Sequence, residues 1–98
     1  MTINTAVDGA KLSVALQGRL DTTTAPALEK ELAQYADSTE VLLDFAALDY
    51  ISSAGLRVLL AEQKQMNAKK GKMIIRNVNE TIMEVLQITG FVDILTIE

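Results

Sequence analysis

The sequence predicts an α/β fold, in which helices pack on one mixed, mostly parallel β-sheet of about five strands that begins with an N-terminal hairpin. Asp8-Gly9, a dipeptide typical of tight hairpin turns, separates two strand-like segments at residues 3–7 and 11–17. Val41–Phe45 is a short apolar run of the kind found in the middle of a sheet covered by helices. Segments with helical periodicity alternate with the later strands, as in βαβ units.

The hairpin and the first helix have clear local signals. Apolar and polar or small residues alternate over 11–17, so this strand has one buried face and pairs antiparallel with the first. Gly18 ends the alternation, and the threonines at 22–24 before Ala25-Pro26 indicate the start of a helix, because proline is tolerated in the first turn. We expect that helix to reach about Ala36. Leu28, Leu32 and Tyr35 would face the core, and Glu29, Lys30 and Glu31 would face water.

The rest of the chain continues the alternation of strand and helix. Its apolar helical stripes comprise Leu56, Leu59, Leu60 and Met66 in one helix and Ile82, Val85, Leu86 and Thr89 in the next. In chain order we predict a connection at 46–49, a helix from Ala54 to about Lys70 followed by Gly71, a strand at 73–78, a third helix between Asn79 and Gly90, and a strand at 96–97.

Composition limits the function. With 98 residues, 49% of them hydrophobic, the chain is expected to form one domain over residues 1–98. Its net charge of -4 argues against nucleic acid and anionic lipid as partners. Without cysteine or histidine, disulfides, thiolate chemistry, the usual zinc sites and triad hydrolysis are excluded. No signal peptide and no run of ~18 apolar residues is present, so we expect a cytoplasmic protein without membrane insertion.

Two adjacent hydroxyls, Ser52 and Ser53, stand where the second long helix should begin. A serine there can cap the free backbone N–H groups of the first turn. It can equally receive a phosphate at the positive end of the helix dipole. The residue types and their spacing leave both roles open.

Three segments together resemble the STAS domain, specifically the bacterial anti-sigma factor antagonists. They are Gly18-Arg19-Leu20-Asp21, the strand at Val41–Phe45, and Ile51-Ser52-Ser53-Ala54-Gly55-Leu56-Arg57. The resemblance covers essentially the whole chain and implies a single STAS domain. It also implies that Ser53, two positions before the glycine, is phosphorylated, with Ser52 as the second candidate. Ser52 departs from the family pattern, in which an aspartate is common at that place.

The resemblance further implies a binding switch without catalytic activity. The unphosphorylated protein would sequester an anti-sigma factor that is a serine kinase of the GHKL type, and phosphorylation of Ser53 would release it. The kinase would use ATP, the chain itself would need no cofactor or metal, and a PP2C-type phosphatase would be a further partner. The expected contact surface consists of Asp21, Thr22, Thr23, Ser52, Ser53, Ala54, Gly55, Arg57 and Val58.

Other interpretations remain open for several of these residues. Asp21 before three threonines can simply start a helix. The lysines at 64, 69, 70 and 72 are most simply a solvated helix end, and a phosphate-binding or membrane patch is the alternative. A structural subunit of a lipid-transport ATP-binding cassette assembly or a stress-sensing complex is the competing function. Catalysis is disfavoured because Asp21, Asp44, Asp49 and the serines show no arrangement of nucleophile with base.

Overall fold

A computed structural model describes residues 1–98 and confirms the predicted order of strands and helices. No helix in it is both long enough and apolar enough to cross a membrane. A single 3₁₀ turn at Phe91–Asp93 precedes the last strand. The elements are β1 (Thr2–Asp8), β2 (Lys11–Leu20), α1 (Ala25–Gln34), β3 (Glu40–Ile51), α2 (Ser53–Ala68), β4 (Lys72–Arg76), α3 (Glu80–Ile88) and β5 (Thr96–Ile97).

The five strands lie in the sheet in chain order, so each strand pairs with the one before it. β1 and β2 are antiparallel and all other pairs are parallel. Asp8 pairs with Lys11, which leaves Gly9-Ala10 as a two-residue loop. Gly9 has a φ of 62°, the positive value that the first residue of a II′ hairpin turn requires.

All three helices cover the same face of the sheet. The parallel strands follow one another in one direction, and right-handed crossovers then place every connection on one side. On that side the strand residues are buried with Leu28, Leu59 and Ile82 of the helices in one core cluster. On the opposite face Leu42 and Ile74 are only half-buried. The strand around Val41–Phe45 is therefore covered by helices on one face only. Its neighbours in the core include Leu12, Val14, Leu16, Met73 and Ile75.

β2 and β3 extend further than the alternation predicts. β2 continues to Leu20, with Gly18 at a φ of 99°, and β3 continues through the predicted connection at 46–49 to Ile51. The register between the two strands shifts twice. The step of two residues from Ala15 to Gln17 on β2 lies opposite a step of three residues from Asp44 to Ala47 on β3. The step of one residue from Gly18 to Arg19 lies opposite a step of two residues from Leu48 to Tyr50. Each shift adds one residue to β3. Such bulges break the period of two that a sequence pattern detects.

Three polar side chains lie where the helical patterns did not place them. Thr89 is exposed and its hydroxyl donates to the carbonyl oxygen of Val85 at 2.8 Å, so the prediction that it faces inward was wrong. Glu62 and Gln63 are buried on α2 although both are polar. The other helix signals are confirmed: Asn79 caps α3 and Gly90 follows it with a φ of 79°.

Gly55, in the first turn of α2, is a point of close packing. A Cβ atom added there would lie 2.7 Å from Cγ of Leu20 and 3.0 Å from Cγ1 of Ile51. Both neighbours are fully or almost fully buried, so neither can move aside freely. The glycine therefore allows the start of α2 to sit directly on the ends of β2 and β3.

We predict that Gly55→Ala destabilises the domain by about 1–3 kcal/mol through overpacking, although the same change in an exposed helix is stabilising by ~1 kcal/mol. Urea unfolding measures the difference. Leu20→Ala is the control, because it removes the atoms that an added methyl would meet; on that background Gly55→Ala should cost clearly less. Equal costs on both backgrounds would show that the contact with Leu20 is not the cause.

Candidate functional site

The candidate site lies where the carboxyl ends of β2 and β3 meet the start of α2. The Ser52 backbone N–H donates to the carbonyl oxygen of Leu20 at 2.9 Å, which ties the two segments together. α2 begins at Ser53, so Ser52 is its N-cap residue. Ser53 is the first residue of the helix, and the interpretation of Ser53 as the cap was wrong. Asp21 directly follows Leu20 in the chain. It therefore lies at the same end of the sheet as Ser53, as the sequence predicts.

The two serine side chains differ in environment. Ser53 is exposed. Ser52 Oγ is buried and has no hydrogen-bond partner, and the side chain makes no capping bond to the helix. The first intrahelical bond of α2 runs from the Leu56 N–H to the Ser52 carbonyl at 3.0 Å. The N–H groups of the three residues before Leu56 therefore have no partner within the helix.

Asp21 organises the loop between β2 and α1. Its Oδ1 accepts from the backbone N–H of Thr23 at 3.0 Å, from the Thr23 hydroxyl at 2.7 Å and from the Thr24 N–H at 3.2 Å. In a reciprocal hydrogen bond, the Thr24 hydroxyl accepts from the Asp21 backbone N–H at 2.8 Å. The hydrogen bond from the Thr23 hydroxyl, supported by the backbone N–H donors, lowers the pKa of Asp21 below its ordinary value of 3.8. This carboxylate orders the turn that leads into α1, in agreement with the helix-entry role that was one of its two predicted roles.

Arg19 and Tyr50 form a neighbouring feature that the sequence reasoning missed as part of the site. They pair across the ends of β2 and β3, and the Arg19 guanidinium carbon lies 4.1 Å from the centre of the Tyr50 ring. Arg19 Nε is also 3.7 Å from Asp21 Oδ2. The side chains of Arg19 and Tyr50 are both exposed. Their partnership follows from the second register shift, which no local pattern reveals.

The remaining predicted contact residues separate into exposed and buried ones. Arg57 is exposed, and Ala54 beside it is half-buried. Gly55 is buried and packs the helix onto the domain, so the prediction that it forms part of the contact surface is corrected. Val58 is also buried but lines a groove beside the helix, so its place in the contact surface stays a prediction. The exposed or half-exposed members that the fold brings together are Asp21, Thr22, Thr23, Ser52, Ser53, Ala54 and Arg57.

The lysines near the end of α2 belong to a different part of the molecule. Lys69 donates through its amine to the carbonyl oxygens of Ala36 and Ser38, which places its charge at the C-terminal end of α1. Lys70 has a φ of 59° as the chain leaves the helix. No group of three or more Asp or Glu side chains is placed so as to hold a metal ion.

Comparison with known proteins agrees with this geometry. The STAS domain family model matches residues 2–98. The chain belongs to the STAS domain family. It is 41% identical over 93 residues to BtrV of Bordetella bronchiseptica, named as an anti-sigma factor antagonist, and the match covers 93% of this STAS domain and 79% of BtrV. The anti-sigma-B factor antagonist of Bacillus subtilis is 26% identical over 87 residues, which cover 88% of this chain and 80% of that one.

Solved structures of the Bacillus protein SpoIIAA share the fold. Its unphosphorylated form has a TM-score of 0.80 at 18% identity, covering 99% of this STAS domain and 87% of SpoIIAA. Its phosphorylated form has a TM-score of 0.79 at 19% identity, covering 99% and 91%. SpoIIAA is described as an anti-sigma factor antagonist. At these identities the likeness shows a common fold, which confirms the mixed five-stranded sheet with helices packed on it.

The N-cap residues of α2 and α3 give a matched prediction. Asn79 accepts from the Ile82 N–H at 2.8 Å and donates to the Leu48 carbonyl at 2.9 Å, whereas the Ser52 hydroxyl bonds to nothing. We expect Asn79→Ala to destabilise the domain by about 1–2 kcal/mol and Ser52→Ala to change stability by less than about 0.5 kcal/mol. Chemical unfolding of both variants measures this. A Ser52→Ala loss as large as that of Asn79→Ala would show that the hydroxyl does cap α2.

The lowered pKa of Asp21 predicts a particular acid response. Because the folded-state pKa lies below the ordinary value of 3.8, the charge contributes stability above that pH, and the contribution is lost as the pH falls through the folded-state value. We expect Asp21→Asn to lower the melting temperature at neutral pH, and we expect the difference from the wild type to shrink as the pH falls below 3.8. Thermal unfolding across this range measures the difference. A gap that is constant with pH would exclude a role for the charge.

Proposed function

We propose that this STAS domain is an anti-sigma factor antagonist that works as a phosphorylation-controlled binding switch. Unphosphorylated, it sequesters an anti-sigma factor that is also a serine kinase of the GHKL type. Phosphorylated on Ser53, it releases that partner. The observation that carries the proposal is the exposed Ser53 at the first position of α2, beside free backbone N–H groups. The names of BtrV and the B. subtilis relative support the choice of partner.

The start of α2 suits a phosphate. A phosphoserine carries a charge of about -1.5 to -2 and three strong acceptor oxygens. At the first helical position these oxygens lie near N–H groups without intrahelical partners and near the positive end of the helix dipole. Arg57, exposed and one turn further along α2, provides a cation on the same side. The modified residue is therefore accommodated without a change in the fold.

A docked partner would respond much more strongly than the domain itself. Apart from Arg57, the predicted contact residues exposed around Ser53 have short side chains, so a partner can approach the helix end closely. A phosphate introduced there would be buried in the interface or placed against like charge, which costs several kcal/mol. A difference of ~3 kcal/mol already changes affinity about a hundredfold. Phosphorylation of Ser53 alone is thus sufficient to make a bound partner dissociate.

The proposed cycle assigns the chemistry to the partners. The kinase supplies ATP and transfers the phosphoryl group, a PP2C-type phosphatase removes it, and the STAS domain contributes only the acceptor hydroxyl and the surface. It needs no cofactor of its own and acts in the cytoplasm, where sigma factors work. Ser52 is disfavoured as the acceptor because its Oγ is buried, whereas Ser53 is exposed.

We expect the cognate anti-sigma factor kinase of the GHKL type to phosphorylate the wild type and Ser52→Ala, and not Ser53→Ala, in the presence of ATP. Phosphopeptide mapping by mass spectrometry identifies the acceptor. Ser53→Asp should bind the kinase about a hundredfold more weakly than the wild type, whereas Thr22→Ala, an exposed change nearby, should retain binding within a few-fold. Phosphate on another residue, together with normal binding of Ser53→Asp, would refute the switch.

A further inference from the structure

A groove between α1 and α2 leads away from the candidate site. It consists of two adjoining concavities of about 420 and about 460 Å³, which share Glu29, Val58 and Ala61. The first begins at Thr22 and Arg57, so the groove is continuous with the exposed residues around Ser53. Alanine is the most frequent residue along it. The alanines are Ala25, Ala33, Ala36, Ala54 and Ala61.

Glu62 lies in the second half of this groove and has no counterion. Its side chain is 7% exposed, yet its carboxylate forms no hydrogen bond and no ion pair within the domain. Burial raises the pKa of Glu62, and the positive charge of Lys69 offsets this effect only in part. The Lys69 amine is held by the carbonyl oxygens of Ala36 and Ser38.

The Glu62 carboxylate keeps some access to solvent, because neither of its oxygens is among the fully buried atoms that lack a hydrogen-bond partner. It is nevertheless partly desolvated in the groove and has no cation paired to it. Buried charges in proteins are normally paired or hydrogen-bonded, because desolvation of a single ion costs several kcal/mol. The only other charged residue lining this half of the groove is Glu29, which is also acidic. A cation brought in from outside would therefore meet two carboxylates in this half of the groove, and the nearby Lys69 amine is already held by the carbonyl oxygens of Ala36 and Ser38.

We propose that the groove receives an amphipathic helix of the anti-sigma factor, with one lysine or arginine of that helix paired to Glu62. The inference rests on the proposed function for the identity of the partner. The small alanine side chains allow another helix to approach closely, and apolar residues flanking the cation would cover Leu32 and Val58. Continuity with the Ser53 surface lets one partner occupy both.

The test compares Glu62→Gln with Glu84→Gln, an equal loss of charge at an exposed position on α3, in calorimetric titrations with the cognate anti-sigma factor kinase. We expect Glu62→Gln to weaken binding tenfold or more and Glu62→Lys about a hundredfold, while Glu84→Gln stays within about twofold. Misfolding is not expected to obscure the result. Glu62→Gln removes a desolvated charge, so its melting temperature should equal or exceed that of the wild type.

A charge reversal identifies the partner residue. Among the basic residues of the kinase changed singly to glutamate, one should restore binding to Glu62→Lys while weakening binding to the wild type. In ¹³C spectra the pKa of the Glu62 carboxyl should fall when the kinase is added, because the new cation favours the ionised form. A pKa that does not move, or the absence of any restoring reversal, would overturn the pairing.

The outcomes separate this inference from the switch. Normal binding of Glu62→Gln overturns the groove proposal alone, and normal binding of Ser53→Asp overturns the phosphorylation switch alone. A wild type that does not bind the kinase overturns both. Sedimentation of the free protein tests the remaining occupant, a second copy of this chain: a dimer that Glu62→Gln alters would show that the groove serves self-association.

Discussion

The hydrogen bond from the Ser52 N–H to the Leu20 carbonyl, together with the contact of Gly55 with Leu20, fixes the start of α2 on the end of the sheet. Everything in the candidate site depends on this attachment. It places Ser53 on the surface, because the chain turns into the helix as soon as the strand ends. It also brings Asp21, which follows Leu20, to the same edge of the domain. A side chain larger than hydrogen at Gly55 would separate these parts.

The buried side-chain polar atoms that lack a hydrogen-bond partner lie at the start of α2 and within it. Most buried polar groups in proteins have hydrogen-bond partners, so each exception points to strain or to a missing ligand. Here the exceptions are the Ser52 hydroxyl at the start of the helix and Oε1 of Gln63 further along it. By contrast, Asp21 Oδ1 and both polar atoms of the Asn79 side chain form hydrogen bonds. The buried side-chain atoms without a partner therefore lie at the N-cap of α2 and on α2 itself, and none lies on α1 or α3.

The sequence was sufficient for the element order and most helix ends, because these depend on local chemistry such as the cap at Asn79 and the positive φ at Gly90. It was insufficient for the end of β3, since the bulges there exist only in relation to β2. The same limit hid the stacking of Arg19 on Tyr50. Periodicity also assigned charged residues to water, and the burial of Glu62 arises from the neighbouring helix, which α2 alone cannot reveal.

The order of strands in the sheet has a consequence for biosynthesis. Because every strand pairs with the strand that precedes it in the chain, no pairing has to wait for a distant segment to be made. The sheet can grow from its N-terminal hairpin by one βαβ unit at a time while the chain leaves the ribosome. Each loop that must close spans only a single crossover, so the entropy of closure is smaller than for strands further apart in the chain. The two residues of β5 complete the edge last.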